Sequence, residues 1–206
     1  MLFVCLAAPL SMMLFVFRGR SRAILGFLLA GIFMCLFAGE INGLILNRPE
    51  LSMRFSPVPV PPILEEVLKA LPVVLLAFLI KPKRQLMLEA SIAVGVGFAT
   101  LENMCLLVDS TAFSLGLIVA RGFGAGMMHG VSTLMVGYSM TLVSREKKLS
   151  CTGTIAALSA AIIYHSLYNI MIQSEHPVLG ILLPAVTFIP MILIMSRKRR
   201  AAENDK

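Results

Sequence analysis

Several side chains that can exchange protons lie inside long apolar stretches of the sequence. Besides Glu40, they include the three glutamates and two histidines that are the candidate site residues: Glu65, Glu66, Glu102, His129 and His165. Carboxylates and imidazoles serve as general acids and bases, and both also bind divalent metals. A charged side chain at the centre of a bilayer costs about 2.5–3.5 kcal/mol on insertion scales. If these stretches cross a membrane, such residues need partners, water or a function.

The composition predicts that the stretches do cross a membrane. Of the 206 residues, 58% are hydrophobic and only 14% are charged, whereas a soluble domain carries about 25% charged residues. Each crossing needs about 20 apolar residues. The sequence therefore predicts an all-α, polytopic transmembrane bundle of about seven spans, forming one integral membrane domain over residues 1–206. The apolar runs are 1–17, 23–47, 63–80, 86–108, 112–143, 150–172 and 177–195.

The basic residues predict how the chain is oriented. If the seven runs alternate in direction, fourteen of the eighteen lysines and arginines fall on one side, against Arg48 and Arg54 in the opposite loops. Because cytoplasmic loops are enriched in lysine and arginine, we expect the N-terminus outside and the C-terminus inside. The net charge of +7 is explained by these basic clusters in loops beside a lipid bilayer. We therefore do not expect nucleic acid as a partner.

One apolar run is too long for a single straight crossing. As one helix, residues 112–143 would reach about 48 Å, against about 30 Å for the hydrocarbon core. We expect the crossing to begin near Gly122, with residues 112–121 as an outer extension and Arg121 at the outer boundary.

The acid–base residues are predicted to lie in one layer near the outer face. At a rise of 1.5 Å per residue, the two adjacent glutamates lie about 5 Å below the boundary and the other three residues about 9–12 Å below it. Four different helices contribute to this layer. Small residues should let those helices approach closely, namely the ridge Gly122, Gly126 and Gly130 and the pair Gly95 and Gly97.

Taken singly, these residues also have ordinary structural explanations. Glu65 or Glu66 can pair with Lys69 on the same helix, at spacings of four and three residues. Adjacent side chains on a helix point about 100° apart, so only one glutamate is expected to pair. His165 and Asn169 share a helix face and could form interhelical hydrogen bonds. Their convergence at one depth favours a functional site.

The acid–base residues belong to four short motifs on consecutive apolar runs. The motifs are Glu65-Glu66-Val-Leu-Lys69, Gly97-Phe98-Ala-Thr-Leu-Glu102-Asn103, His129, and His165-Ser-Leu-Tyr-Asn169. Their order resembles the PrsW family of membrane-embedded proteases, which is related to the CAAX prenyl endopeptidases and to Abi-type proteins. The resemblance covers the motif-bearing core helices, residues 62–172. In the CAAX-type relatives the second motif ends in histidine where this chain has Glu102, which favours PrsW.

The resemblance implies a function and a location. It implies site-1 cleavage of a membrane-anchored, anti-sigma-factor-like protein on its extracytoplasmic side, in the plasma membrane of a bacterium. The expected partner is a single-span membrane protein. The outer position of the acid–base layer, derived from the basic residues alone, agrees with this expectation.

Peptide hydrolysis needs an activated water, an oxyanion donor and a proton donor for the leaving amine. We expect Glu65, or less favourably Glu66, to be the general base, with Lys69 keeping the other glutamate ionised. His165 and Asn169 would donate to the oxyanion. The remaining pair, His129 with Glu102, would orient water or shuttle a proton.

A metal-dependent alternative uses the same residues. His129, His165 and a carboxylate such as Glu65 would form a His₂Glu zinc set with a fourth position for water. The sequence leaves both versions open. It favours the metal-free one, because Lys69 already supplies positive charge and Asn169 suits an oxyanion donor.

Two non-proteolytic functions are the alternatives. Buried glutamates and histidines are also typical of proton-coupled membrane carriers, and an Abi-type membrane protein could carry the motifs without cutting a substrate. Against a carrier, the sequence shows no internal repeat and no matching pair of broken helices.

Overall fold

The computed structural model describes residues 2–48, 60–109, 115–143, 147–174 and 177–204. Within these ranges the protein is all-helical, with seven α-helices and no strand, which confirms the all-α part of the predicted fold class. The helices follow the seven apolar runs in order. They are α1 (Leu2–Val16), α2 (Gly19–Leu46), α3 (Val60–Leu75), α4 (Arg84–Asp109), α5 (Leu115–Val143), α6 (Lys147–Ile172) and α7 (Pro177–Asn204).

Three of these helices, α2, α4 and α6, are long and apolar enough to cross a membrane. They identify an integral membrane protein. The count of seven crossings and the orientation of the termini stay predictions.

The local sequence explains how α3 begins and ends. Val60 is followed by Pro61 and Pro62, which fit the first turn of a helix because their missing N–H groups would have no partner there. At its other end α3 continues into a π-helical turn, Leu76–Ile80, and Lys81 adopts a left-handed conformation with φ of 48°. The chain then turns back into α4.

Helix α3 carries the adjacent glutamates into the middle of the bundle. It packs against α2, α4, α5 and α6, while α4 lies between α2 and α5. Helix α7 packs on α5 and α6. All four helices that bear the predicted site residues therefore meet around α3.

Glycines set the closest of these contacts. A Cβ atom at Gly95 would overlap the carbonyl oxygen of His129, and one at Gly97 would overlap that of Leu28. Helix α4 can therefore touch the backbones of both α5 and α2 only because these positions lack a side chain. This confirms the packing role predicted for Gly95 and Gly97.

The packing role predicted for the second set of glycines, on α5, is wrong at Gly122 and Gly126, where a Cβ atom would meet no atom within 4 Å. At Gly130 the backbone does come close to α4, because a Cβ atom at Gly95 would lie 2.9 Å from the Cα atom of Gly130. The spacing of small residues is right for an interface, but among the described residues no helix packs on that face at the first two positions. Helix α5 also continues without a break from residue 115, so residues 115–121 extend the same helix.

The predicted orientation can be tested with two exposed positions at opposite ends of the bundle. In a variant without native cysteines, Asn47→Cys should react with a membrane-impermeant maleimide in intact cells. Lys83→Cys should react only after permeabilisation, because the basic clusters hold that end in the cytoplasm. The reverse labelling pattern would contradict this orientation.

Candidate active site

Helix α3 places one of the two adjacent glutamates in a fully buried ion pair. The Nζ atom of Lys69 donates to Oε1 of Glu66 at 2.6 Å, and both side chains are about 1% exposed. Glu65 points to a different side of the helix and is 13% exposed. Of the two pairings that the sequence allows, the structure has the one with three-residue spacing.

The same lysine connects α3 to α5. Its Nζ atom lies 2.6 Å from Nδ1 of His129, and since an ammonium group can only donate, Nδ1 accepts. The proton of the neutral ring is therefore on Nε2, which donates to Oε2 of Glu102 at 2.6 Å. The second oxygen of Glu102 lies 3.9 Å from Nη2 of Arg121. Both contacts of this carboxylate thus come from α5.

The imidazole of His165 on α6 is held by Glu66, the glutamate that also pairs with Lys69. Its Nδ1 atom lies 2.8 Å from Oε1 of Glu66, and Nδ1–H is the donor to this carboxylate. In the neutral ring Nε2 then has a free lone pair, which lies 3.8 Å from Oε2 of Glu65. That oxygen is buried and has no hydrogen-bond partner within the described ranges. Two acceptors face each other here, so a proton or a cation is needed between them.

Aromatic contacts hold the imidazole rings of the cluster. The rings of His129 and His165 meet edge to face with their centroids 4.8 Å apart. The ring of Phe98 lies 5.2 Å from that of His129, and the ammonium of Lys69 lies 5.0 Å from the Phe98 centroid. This phenylalanine therefore stabilises the lysine cation and also packs against the imidazole of His129.

Three of the side chains fit a metal ion, on one condition. Glu65, His129 and His165 each offer one donor atom, and these atoms lie within 4.8 Å of one another. In a tetrahedral zinc site two such donors lie about 3.3–3.5 Å apart, so Glu65 and His165, which are 3.8 Å apart, would only have to move slightly closer together. Both nitrogens of His129 are engaged, so it can join only if Lys69 releases Nδ1.

The charges of the cluster also require one further positive charge, which either a proton or a metal cation can supply. Three carboxylates are opposed by two permanent cations, Lys69 and Arg121, if both imidazoles are neutral. The residual negative charge lies on Glu65, the carboxylate with no close ion-pair partner apart from His165 in the described part of the chain. A buried charge of this kind has to be compensated.

Asn169 is the one predicted site residue that the structure does not tie to the cluster. It lies one turn beyond His165 on α6 and is partly buried. Among the described residues, no hydrogen bond joins its side chain to the other site residues.

Three further polar residues adjoin the cluster and had not been predicted as site residues. Ser132 lies 3.4 Å from Lys69. The hydroxyl of Tyr168 and Nε of Arg121 are buried without hydrogen-bond partners among the described residues. Ser132 and Tyr168 each follow a site histidine by three residues, and this helical spacing was the available signal.

An acid–base cluster buried in an apolar helical bundle is the arrangement expected of a membrane-embedded peptide hydrolase. The model of the PrsW family, described as an intramembrane metalloprotease family, matches residues 9–195, and the chain belongs to this family. The match extends well beyond the residues that carry the motif resemblance. No curated protein and no solved structure matches the chain. Because the family is described as metalloproteases, the match favours the metal-dependent alternative over the metal-free one.

The buried ion pair makes a stability prediction. Lys69→Met leaves the carboxylate of Glu66 buried without its ammonium, and should lower the free energy of unfolding by about 3–5 kcal/mol. Adding Glu66→Gln removes the stranded charge and should restore most of this loss. Unfolding of the purified protein in mixed detergent micelles measures both variants. Two results would contradict the pairing. One is an unchanged free energy of unfolding in the Lys69→Met variant, and the other is a double variant that is no more stable than this single variant.

Proposed function

We propose that this protein is an intramembrane endopeptidase in which Glu65 accepts the proton of the attacking water. The observation that carries the proposal is the position of Glu65, whose buried Oε2 has no hydrogen-bond partner among the described residues and lies 3.8 Å from Nε2 of His165. The other two carboxylates of the cluster accept hydrogen bonds from histidines. Oε2 of Glu66 also lacks a partner among the described residues, but its other oxygen is held by Lys69 and His165, which leaves Glu65 as the carboxylate freer to act as a base.

Glu66 is a positioning residue in this proposal. Its Oε1 atom accepts from both Lys69 and His165, and this directs the free Nε2 of His165 toward the reacting space. A carboxylate that orients a histidine also raises its strength as a ligand or base. Glu102 has the same relation to His129.

A divalent metal of the zinc type would be held by His165, Glu65 and, after Lys69 moves, His129. When bound, it would act as a Lewis acid toward the scissile carbonyl and the water. A carboxylate has two oxygens, so Glu65 can hold an ion with one and accept a proton with the other.

The oxyanion donors are proposed on α6 and α5. Asn169 and Tyr168 lie within about one turn of His165, and the hydroxyl of Tyr168 has no hydrogen-bond partner in the described part of the chain. Arg121 adds a positive charge at the same end of the bundle. Donors already in place for a developing negative charge are the main source of rate enhancement in acyl transfer.

We further propose that the substrate is a single-span, anti-sigma-factor-like membrane protein, cut at site 1 near the extracytoplasmic face of a bacterial plasma membrane. The position of the cluster supports this. Glu66 lies six residues after the start of α3, and Glu102 and His165 lie seven residues before the ends of α4 and α6. These spacings correspond to about 9–10 Å from the helix ends, on the side that the basic residues predict to be outside.

Substitutions at the cluster test this proposal. Glu65→Gln, Glu66→Gln and His165→Ala should each lower cleavage by at least about 100-fold, the usual range for losing an acid–base group. The assay is co-expression with single-span proteins tagged at both ends, followed by mass spectrometry of the cut site.

Glu89→Gln is the matched control. Glu89 pairs with Arg20 at the opposite end of the bundle, away from the reacting groups, so its replacement by an amide should leave cleavage unchanged. Normal cleavage by Glu65→Gln, or a cut on the cytoplasmic side of the span, would contradict the proposal.

A further inference from the structure

A cavity of about 480 Å³ lies among α1, α2, α3 and α4 and reaches the candidate active site. Its wall on α2 comes from residues far from every predicted site motif in the sequence. The residues that matter here are Phe3, Cys35, Gly39, Asn42, Glu65 and Glu102.

We propose that this cavity binds the substrate in an extended conformation beside the scissile bond, with Asn42 as a hydrogen-bonding partner of its backbone. The inference rests on the proposed proteolytic function. A peptide bond inside a helix is shielded by its own hydrogen bonds, so the segment to be cut must be unwound. Once unwound in an apolar surrounding, its N–H and C=O groups need partners from the enzyme.

Asn42 can supply such partners. Its Oδ1 atom is buried and has no hydrogen-bond partner in the described ranges, although leaving a buried acceptor unpaired costs about 1–3 kcal/mol. A carboxamide accepts one hydrogen bond from a backbone N–H and donates another to a backbone C=O. A peptide backbone would therefore satisfy it at the place where Glu65 can be reached.

Gly39 leaves room for a side chain of the substrate. A Cβ atom at this position would meet no atom within 4 Å, and Leu36, Ala38 and Leu101 give the cavity an apolar lining. The carboxylates of Glu65 and Glu102 on the far wall repel acidic groups. The cavity therefore favours an unwound segment with small or apolar side chains and without aspartate or glutamate.

Kinetics with a defined probe test the cavity. The probe is a quenched-fluorescent peptide with a 20-residue Leu/Ala span preceded by a Gly/Ala/Ser segment. Gly39→Leu fills the cavity and Asn42→Leu removes the amide. Each should raise KM about threefold to tenfold, the effect of losing one hydrogen bond or a comparable contact, with a smaller change in kcat.

Two controls on the same helix make the same substitutions outside the cavity. Gly26→Leu also enters open space, and Asn47→Leu replaces an exposed amide at the end of α2. Both should stay within twofold of the unsubstituted protein. Equal effects at cavity and control positions would overturn the inference.

Crosslinking separates this inference from the proteolytic proposal. p-Benzoylphenylalanine in place of Phe3, an aromatic residue that already lines the cavity, in the Glu65→Gln background, should crosslink the probe, whereas the same group in place of the exposed Phe78 should not. Cleavage by the unsubstituted protein without crosslinking at position 3 would overturn the cavity and leave the protease proposal standing. Crosslinking of the probe without its cleavage would overturn the protease proposal and leave the cavity as a binding site. A probe that is neither cut nor crosslinked would overturn both proposals.

Discussion

The ammonium of Lys69 lies 2.6 Å from a carboxylate on its own helix and 2.6 Å from an imidazole on α5. A buried charge must be paired and hydrogen-bonded, and this cation satisfies the requirement for two helices at once. It neutralises Glu66, which then orients His165, and it assigns the ring proton of His129, which then holds Glu102. The two hydrogen-bonded chains that define the site both begin at this one nitrogen.

This arrangement concentrates reactivity on a single group. Glu66 and Glu102 are each held by histidines, and the lysine and arginine compensate two negative charges. Glu65 keeps a buried oxygen that has no hydrogen-bond partner among the described residues and lies 3.8 Å from the free nitrogen of His165. Buried polar atoms without partners are few in folded proteins and are concentrated at functional sites, and Glu66, Arg121 and Tyr168 each contribute a further one at or beside the cluster. The glycine contacts of α4 contribute by holding the backbone of His129 close to its neighbours.

Much of the fold and of the residue set could be predicted from the sequence, because apolar runs predict helices and polar residues within them are easily seen. The partner of Lys69 could not be chosen, since both spacings are compatible with one helix and the rotation of α3 decides between them. The ridge at Gly122 and Gly126 was wrong because spacing alone does not show whether a helix packs there. Tyr168 and Asn42 were missed because an unpaired buried atom is a property of the assembled bundle.

Zinc binding by the purified protein tests most directly whether the Glu65–His165 position is the reactive one. Calorimetric titration, with elemental analysis of the product, should find one ion per chain in the unsubstituted protein. Binding should be much weaker in His165→Ala and in Glu65→Gln, and should weaken at lower pH because protons compete for the imidazoles. Cleavage that persists in the presence of chelator, with no zinc bound, would contradict the metal-dependent account. Undiminished binding by His165→Ala would contradict the assignment of the site.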